Sequence, residues 1–275
     1  MDLIIERLNG QVYNTSDLGM RIKYFNVSPP AVTTATNNVL GRDGVVDEGS
    51  QFRLRTIDMQ ADFWAVDKLD FPLKRNEIFK MFQSKEAFYI TDSREPAKRW
   101  FVKTRGDYRL WPIKLTKGEV DIMFDTVNQP FAESMGTSLN PRRFDEETWQ
   151  IGQGLLDEVQ DTDYIHSTRN FCIYNSSDIL IDPRVHDIKI TFKGVSNGLS
   201  ITNTTTGDVF VHNGQTGAND TIELDGIRML KNGESIFRDT NHRLITLEPG
   251  YNDFVINGAT EGEFEIIFEF RFYYF

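Results

Sequence analysis

Glu263-Phe264-Glu265-Ile266-Ile267-Phe268-Glu269-Phe270-Arg271-Phe272-Tyr273-Tyr274 is the stretch on which the fold turns. Phe264, Ile266, Phe268, Phe270, Phe272 and Tyr274 share one side of a two-residue period, and Glu263, Glu265, Glu269 and Arg271 lie mostly on the other. That alternation belongs to a β-strand with one buried face. Six such side chains, at about 1.5–3 kcal/mol each when fully buried, tie the segment into a core. A tag or truncation here should damage the fold.

Working back from this strand, short apolar runs recur between turn residues: Phe171–Tyr174, Ile188–Phe192, Leu199–Ile201, Val209–Val211, Ile222–Leu224, Ile236–Phe237, Leu244–Leu247 and Phe254–Ile256. Spacing of about 8–12 residues with Asn, Gly and Asp between the runs is the pattern of an antiparallel sandwich. Ahead of them, Asp145 to Val159 reads as a short helix seated by Trp149, Leu155, Leu156 and Val159. Gly152 and Gly154 each weaken it by about 1 kcal/mol. Cys172 lies in the apolar run Phe171-Cys172-Ile173-Tyr174 and reads as a buried, inert thiol.

The first half reads as strands with one helix. Gly10–Asn14 and Met20–Phe25 are strands, and Gly41-Arg42-Asp43-Gly44 is a tight turn, since Asp-Gly supplies positive-φ positions. Gln51 to Phe63 reads as one long strand with a bulge or change of burial near Thr56, where the apolar side switches. Asp70-Phe71-Pro72 opens a helix, with Asp70 as N-cap and Leu73, Ile78, Phe79 and Phe82 on its inner face. Ala87–Ile90, Trp100–Val102, Tyr108–Trp111 and Val120–Phe124 are further strands.

Charge divides the chain in the same place. Residues 1–140 hold 19 acidic and 19 basic side chains, residues 141–275 hold 22 and 11, and all four tryptophans precede residue 150. Two composition regimes, and the small, polar, proline-ended stretch Gly136–Pro141, predict a boundary here. The expected organisation is a mainly β chain in two domains. An N-terminal β-sandwich-like domain with one α-helix covers residues 1–137, a linker with the short helix covers 138–165, and an antiparallel β-sandwich covers 166–275.

The same residues narrow the chemistry. A net charge of −11 opposes wrapping of nucleic acid. One cysteine builds neither an internal disulfide nor a thiolate zinc site. Met1–Arg7 has charges on either side of three apolar residues, unlike a signal peptide, and no run suits a membrane span, so a soluble protein folded in the cytoplasm is expected. His166, His186, His212 and His242 stand 20 to 30 residues apart with no metal-binding spacing. Asp161 with Asp163, and Glu263 with Glu265, are carboxylate pairs with nothing to isolate one member in an apolar pocket. Gly152-Gln153-Gly154 lacks the third glycine of a dinucleotide loop, and no nucleophile motif occurs. No catalytic, cofactor-binding or metal-binding residue is assigned, and no cofactor is expected. A carbohydrate-binding module acting in host-cell adhesion is the alternative. Against it, the second half has no Trp after Trp149, and Asn140-Pro141-Arg142, superficially like part of a galectin sugar motif, reads as a turn.

Taken in order, the elements resemble the distal tail protein (Dit) family of long-tailed bacteriophages of Gram-positive hosts. The series runs through Gly19-Met20-Arg21-Ile22, Ser28-Pro29-Pro30, Gly41-Arg42-Asp43-Gly44, Phe52–Arg55 leading to Ile57 and Phe63, helix Phe71–Phe82 and Lys98–Val102. It continues through Phe171–Asn175, Ile181-Asp182-Pro183-Arg184, Ile190–Gly194, Leu199–Gly207, Leu247–Asn252 and the phenylalanine-rich terminal strand. No single motif is specific; the ordered series, spanning the whole chain, carries the resemblance. It implies a first domain that forms a homohexameric ring and a galectin-like second domain, at the virion tail tip. The implied partners are the tail tube protein, the tape measure protein, the tail-associated lysin or adhesin and receptor-binding proteins. DNA would only pass through the central channel, which should be acidic or neutral so that phosphates do not stick. The chain has no room for an inserted sugar-binding module, and no enzymatic activity or membrane insertion is expected. Ring contacts are expected mainly from residues 1–135.

Overall fold

The computed structural model describes residues 1–38, 40, 41, 43–142, 148–155 and 163–275. It is mainly β, with antiparallel sheets and one α-helix, and divides into two compact units, Met1–Ala132 with Phe275, and Glu133–Tyr274.

In the first unit the strands are β1 (Leu3–Arg7), β2 (Val12–Asn14), β3 (Met20–Val27), β4 (Val32–Asn37), β5 (Val46–Phe52), β6 (Thr56–Trp64), β7 (Phe88–Asp92), β8 (Lys98–Thr104), β9 (Arg109–Pro112) and β10 (Lys117–Thr126). The main sheet runs β2-β1-β7-β8-β10-β6-β3, and β9 shares with β8 the second edge of β10. Alternate residues point to one side, so Ile5, Ile22, Met59, Phe63, Ile90, Val102, Ile122 and Phe124 meet in a single core. Gly118 in β10 gives that core room, because a Cβ there would fall on the Phe63 ring.

The stretch read as one strand, Gln51–Phe63, is two. β5 ends at Phe52 and β6 starts at Thr56, in different sheets. The change of face near Thr56 marks a break rather than a bulge, and Arg55 is turned inward there. Its Nε donates to the Ser28 carbonyl at 2.8 Å, and its guanidinium lies over Trp100. Helix α1 spans Asp70–Met81, with Pro72 in its first turn. Asp70 is not the N-cap. The carboxylate of Asp67 accepts from the Leu69 and Asp70 N–H groups instead, while Asp70 accepts from Val66. The buried face is Ile78, Met81 and the following Phe82, whereas Leu73 and Phe79 are exposed. At the Gly41–Gly44 turn both glycines have positive φ, at 85° and 88°, and Arg42 lies outside the described residues.

The second unit comprises β11 (Ala132–Thr137), β12 (Ile165–His166), β13 (Asn170–Asn175), β14 (Ile188–Asn203), β15 (Asp208–Thr216), β16 (Thr221–Asp225), β17 (Arg228–Lys231), β18 (Glu234–Ser235) and β19 (Gly250–Tyr274). Two long strands serve both layers of a sandwich. Residues 188–194 of β14 pair with 264–270 of β19 and extend through β16, β17 and β18. Residues 200–203 pair with 254–257, flanked by β15 and β13. Between these stretches the strands bend where Gly258, with φ of 81°, lies so close to the Gly198 carbonyl that a Cβ would collide with it. The layers meet through Phe254 and Phe268, with ring centroids 4.8 Å apart, and Phe171 and Phe268 at 5.8 Å. All six inward residues of the opening stretch are buried, as its alternation predicts, and Tyr273 is buried as well, against the His186 ring.

Four expectations fail in this half. Of the helix expected over Asp145–Val159, residues 148–155 are turns, with Gly152 and Gly154 at positive φ; 145–147 and 156–159 lie outside the described residues. Ile236–Phe237 enters a 3-10 turn (Phe237–Asp239), where the Thr240 hydroxyl donates to the Phe237 carbonyl at 2.9 Å. Leu244–Leu247 contributes a lone bridge from Leu247 to Ile181 rather than a strand. Cys172 is half-buried rather than fully enclosed.

Candidate functional surfaces

The side chains with catalytic potential stay apart. His166 stacks on Phe171 at 4.3 Å and His242 on Phe237 at 4.0 Å. His186 is buried, its Nδ1 accepting from the Asp182 N–H at 3.0 Å, and His212 is buried with no hydrogen-bond partner for Nδ1 among the described residues. Burial lowers the pKa of both below the usual histidine value. Among the described residues no group of three or more His, Cys, Asp or Glu is arranged to hold a metal ion. Glu263 and Glu265 face outward on β19, where Lys193 lies 3.5 Å from Glu265. Asp161 lies outside the described residues. Asn140 closes a turn, its Oδ1 accepting from the Thr137 N–H at 2.6 Å.

Three exposed surfaces of the first unit are candidates. The first is the β4–β5 ribbon, paired Val32 with Phe52 through Asn37 with Val46. It forms a separate two-stranded sheet whose residues are exposed apart from the half-buried Val46, and Leu40 and Val45 stand open to solvent near its turn. Two-stranded ribbons are marginal in water without a surface to lean on. The second surface is apolar. Trp64, Val66, Leu69 and Leu73, leading into α1, and Ile113 and Leu115, after β9, are all exposed. The Ala65 N–H donates to the Thr116 carbonyl at 2.8 Å, which joins the two segments.

The third is the outer face of β3, β6, β10 and β9. Register puts Tyr24, Gln60, Asp121 and Arg109 in one row across it and Asn26, Asp58 and Met123 in a neighbouring row. The same face holds Asp62 directly opposite Glu119, a like-charged pair that costs stability unless bridged. Lys23 bridges it, with Nζ 3.0 Å from Asp62 and 2.8 Å from Glu119, and Lys117 adds a contact to Asp62 at 2.8 Å. Desolvation pushes the Asp62 carboxyl up, but the hydrogen bonds from Lys117 and Lys23 outweigh it and leave the pKa lowered. Beyond this clamp the face opens into a groove of about 950 Å³ lined by Tyr24, Asp58, Arg105, Arg109, Trp111 and Asp121 among others. Sequence reading missed it, and only the aromatic content of the short β9 run pointed to it.

Residues 8–126 match the family described as the phage tail protein RIFT-related domain. Over the whole chain the fold is that of Dit from phage SPP1, and the resemblance to distal tail proteins is borne out. The two chains share 12% identity with a TM-score of 0.70, over 98% of this chain and 99% of the other. The SPP1 protein is described as a paradigm of the hub adsorption apparatus in phages infecting Gram-positive bacteria. A chain of the phage p2 baseplate in its activated conformation with Sr also matches, at 10% identity and a TM-score of 0.46, over 98% of this chain and 97% of that one. No curated protein matches the sequence.

Proposed function

We propose that this protein is a structural subunit of the hub at a phage tail tip. Six copies close into a ring through the first unit, and each carries a galectin-like sandwich as its second unit. The ring joins the tail tube to the tail-associated lysin or adhesin and to receptor-binding proteins. DNA crosses its channel only in transit, and the particle is assembled in the host cytoplasm. The chain performs no catalysis; its work is to hold shape between partners.

The phage-tail domain over residues 8–126 and the fold shared with SPP1 Dit support this reading. The observation that carries it is the β4–β5 ribbon, a pair of strands with almost no buried side chain of its own and with Leu40 and Val45 exposed. A head-to-tail ring gives such a ribbon the flank of the next copy to lie on, and it makes every copy both donor and acceptor of the contact.

Light scattering and negative-stain imaging of the full chain test the proposal. Six-membered rings with a central hole are expected. Replacing residues 33–51 by a short Gly-Ser link should yield monomers whose thermal midpoint is unchanged. A full chain that stays monomeric at its highest soluble concentration, or rings that persist without the ribbon, would overturn the reading.

A further inference from the structure

We infer that the groove on the outer face of the first unit is a binding site for a neutral oligosaccharide, a role separate from ring formation. Its two rims are aromatic. Tyr24 on β3 is 43% exposed and Trp111 on β9 is 44% exposed, so each offers part of a ring face to solvent. Three strand spacings lie between β3 and β9, about 14 Å, the span of a short chain of pyranose rings. Rigid, half-exposed aromatic faces are what the apolar C–H faces of sugars stack on, at little cost in side-chain ordering.

The floor between the rims supplies what sugar hydroxyls need. One carboxylate oxygen of Asp58 is buried with no hydrogen-bond partner among the described residues. Leaving an acceptor in that state costs about 1–3 kcal/mol, which a ligand O–H would recover. Asp121 receives the Tyr24 hydroxyl at a long 3.4 Å, leaving most of its acceptor capacity open. Arg109 faces Asp121 across the strand pair and has no ion pair among the described residues, and Arg105 is held at the rim by Asp125 at 3.0 Å. Acceptors and donors therefore alternate along the same groove. A hydroxyl both gives and accepts, so a polyol satisfies both sets at once. A cationic peptide would meet Arg105 and Arg109, and an anionic one would meet Asp58, Asp107 and Asp121, all of them lining the groove. A ligand of either sign is thus opposed by part of the lining, and a neutral sugar is not.

The test uses the full chain in its own assembly state and titrates maltotriose, cellotriose and chitotriose separately, up to about 10 mM, well above the millimolar constants of weak sites. Calorimetry and tryptophan fluorescence read the binding, and light scattering records the assembly in the same samples. At least one of the three should bind, and Trp111→Ala and Asp58→Asn should each weaken it at least tenfold with the thermal midpoint unchanged. Phe237→Ala, an exposed aromatic residue of the second unit, should leave it unaltered. If Trp111→Ala does not fold, Tyr24→Ala serves as the second rim variant. Failure of all three sugars to bind, or binding that persists in the rim variants, overturns the inference. So does preferential capture of a Lys/Arg-rich peptide by the groove. Each of these outcomes leaves the ring measurement standing, so the two proposals fail separately.

Discussion

The two units divide one chain between opposite ways of finishing a surface. The first is electrically balanced, yet it leaves Trp64, Val66, Leu69 and Leu115 exposed and holds out a ribbon with almost no burial of its own. The second buries most of its aromatic residues in a sandwich, leaves Ile151, Val185 and Ile227 exposed among others, and carries the excess negative charge. Apolar surface left open marks a subunit that completes itself against neighbours. An excess of like charge keeps a finished body soluble and apart from copies of itself. Within one polypeptide, then, the exposed ribbon and the apolar surface around Trp64 lie in the electrically neutral unit.

Substitutions can break that division. The largest effect is expected from Phe268→Ala, which empties the meeting point of the two sandwich layers and should cost the second unit about 3–5 kcal/mol. Denaturant unfolding followed by hydrogen exchange should show the loss in strands β13 to β19 and not in β1 to β10; a uniform loss would mean that the units unfold as one. Gly118→Ala is the counterpart in the first unit, where the added methyl must displace the Phe63 ring, for about 1–3 kcal/mol of overpacking.

Acid separates the units next. Burial holds the His186 and His212 imidazoles below their ordinary value of 6.5, so the unfolded chain takes up protons that the folded one resists. Their contribution is therefore complete above about pH 6.5 and declines as pH falls below it. The first unit has no histidine. Melts at about pH 7.5 and about pH 5.5, where histidine alone among unperturbed side chains changes charge, should lower the second unit's midpoint and spare the first; equal shifts in both would contradict this assignment. The smallest effect is expected from Lys23→Ala. It removes the cation that bridges Asp62 and Glu119 on a solvated face, leaving Lys117 on Asp62, and should cost below about 1 kcal/mol, reduced further by salt.

Much of this was legible from residue order wherever one side of an element is fully buried. The terminal strand was read correctly because a single core face imposes strict alternation from Phe264 to Tyr274. The helix over 70–81 was visible, but its inner face was not. Leu73 and Phe79 have the right spacing, and only the neighbouring strands decide that Ile78 and Met81 turn inward. Strands β17 and β18 escaped because Arg228–Lys231 and Glu234–Ser235 have no two-residue rhythm. The ribbon was seen only as its Gly41–Gly44 turn, since Val32–Asn37 is exposed on both faces and carries no apolar alternation. The groove was beyond reach for another reason: Tyr24, Asp58, Trp111 and Asp121 come from four strands, and only pairing register brings them to one surface.

The position of β19 in the order of the chain sets a timetable. The core of the first unit draws on nothing beyond Ala132, so it can close while the rest of the polypeptide is still being synthesised. The second cannot. Ser134 must wait for Phe272, 138 residues later, before its hydroxyl finds the backbone N–H it accepts, and both layers of the sandwich lack a strand until Gly250–Tyr274 emerges. Contacts of such sequence separation form slowly. The ribosome therefore delivers the first unit, with its exposed ribbon and apolar surface, complete in its core before the acidic body that follows it.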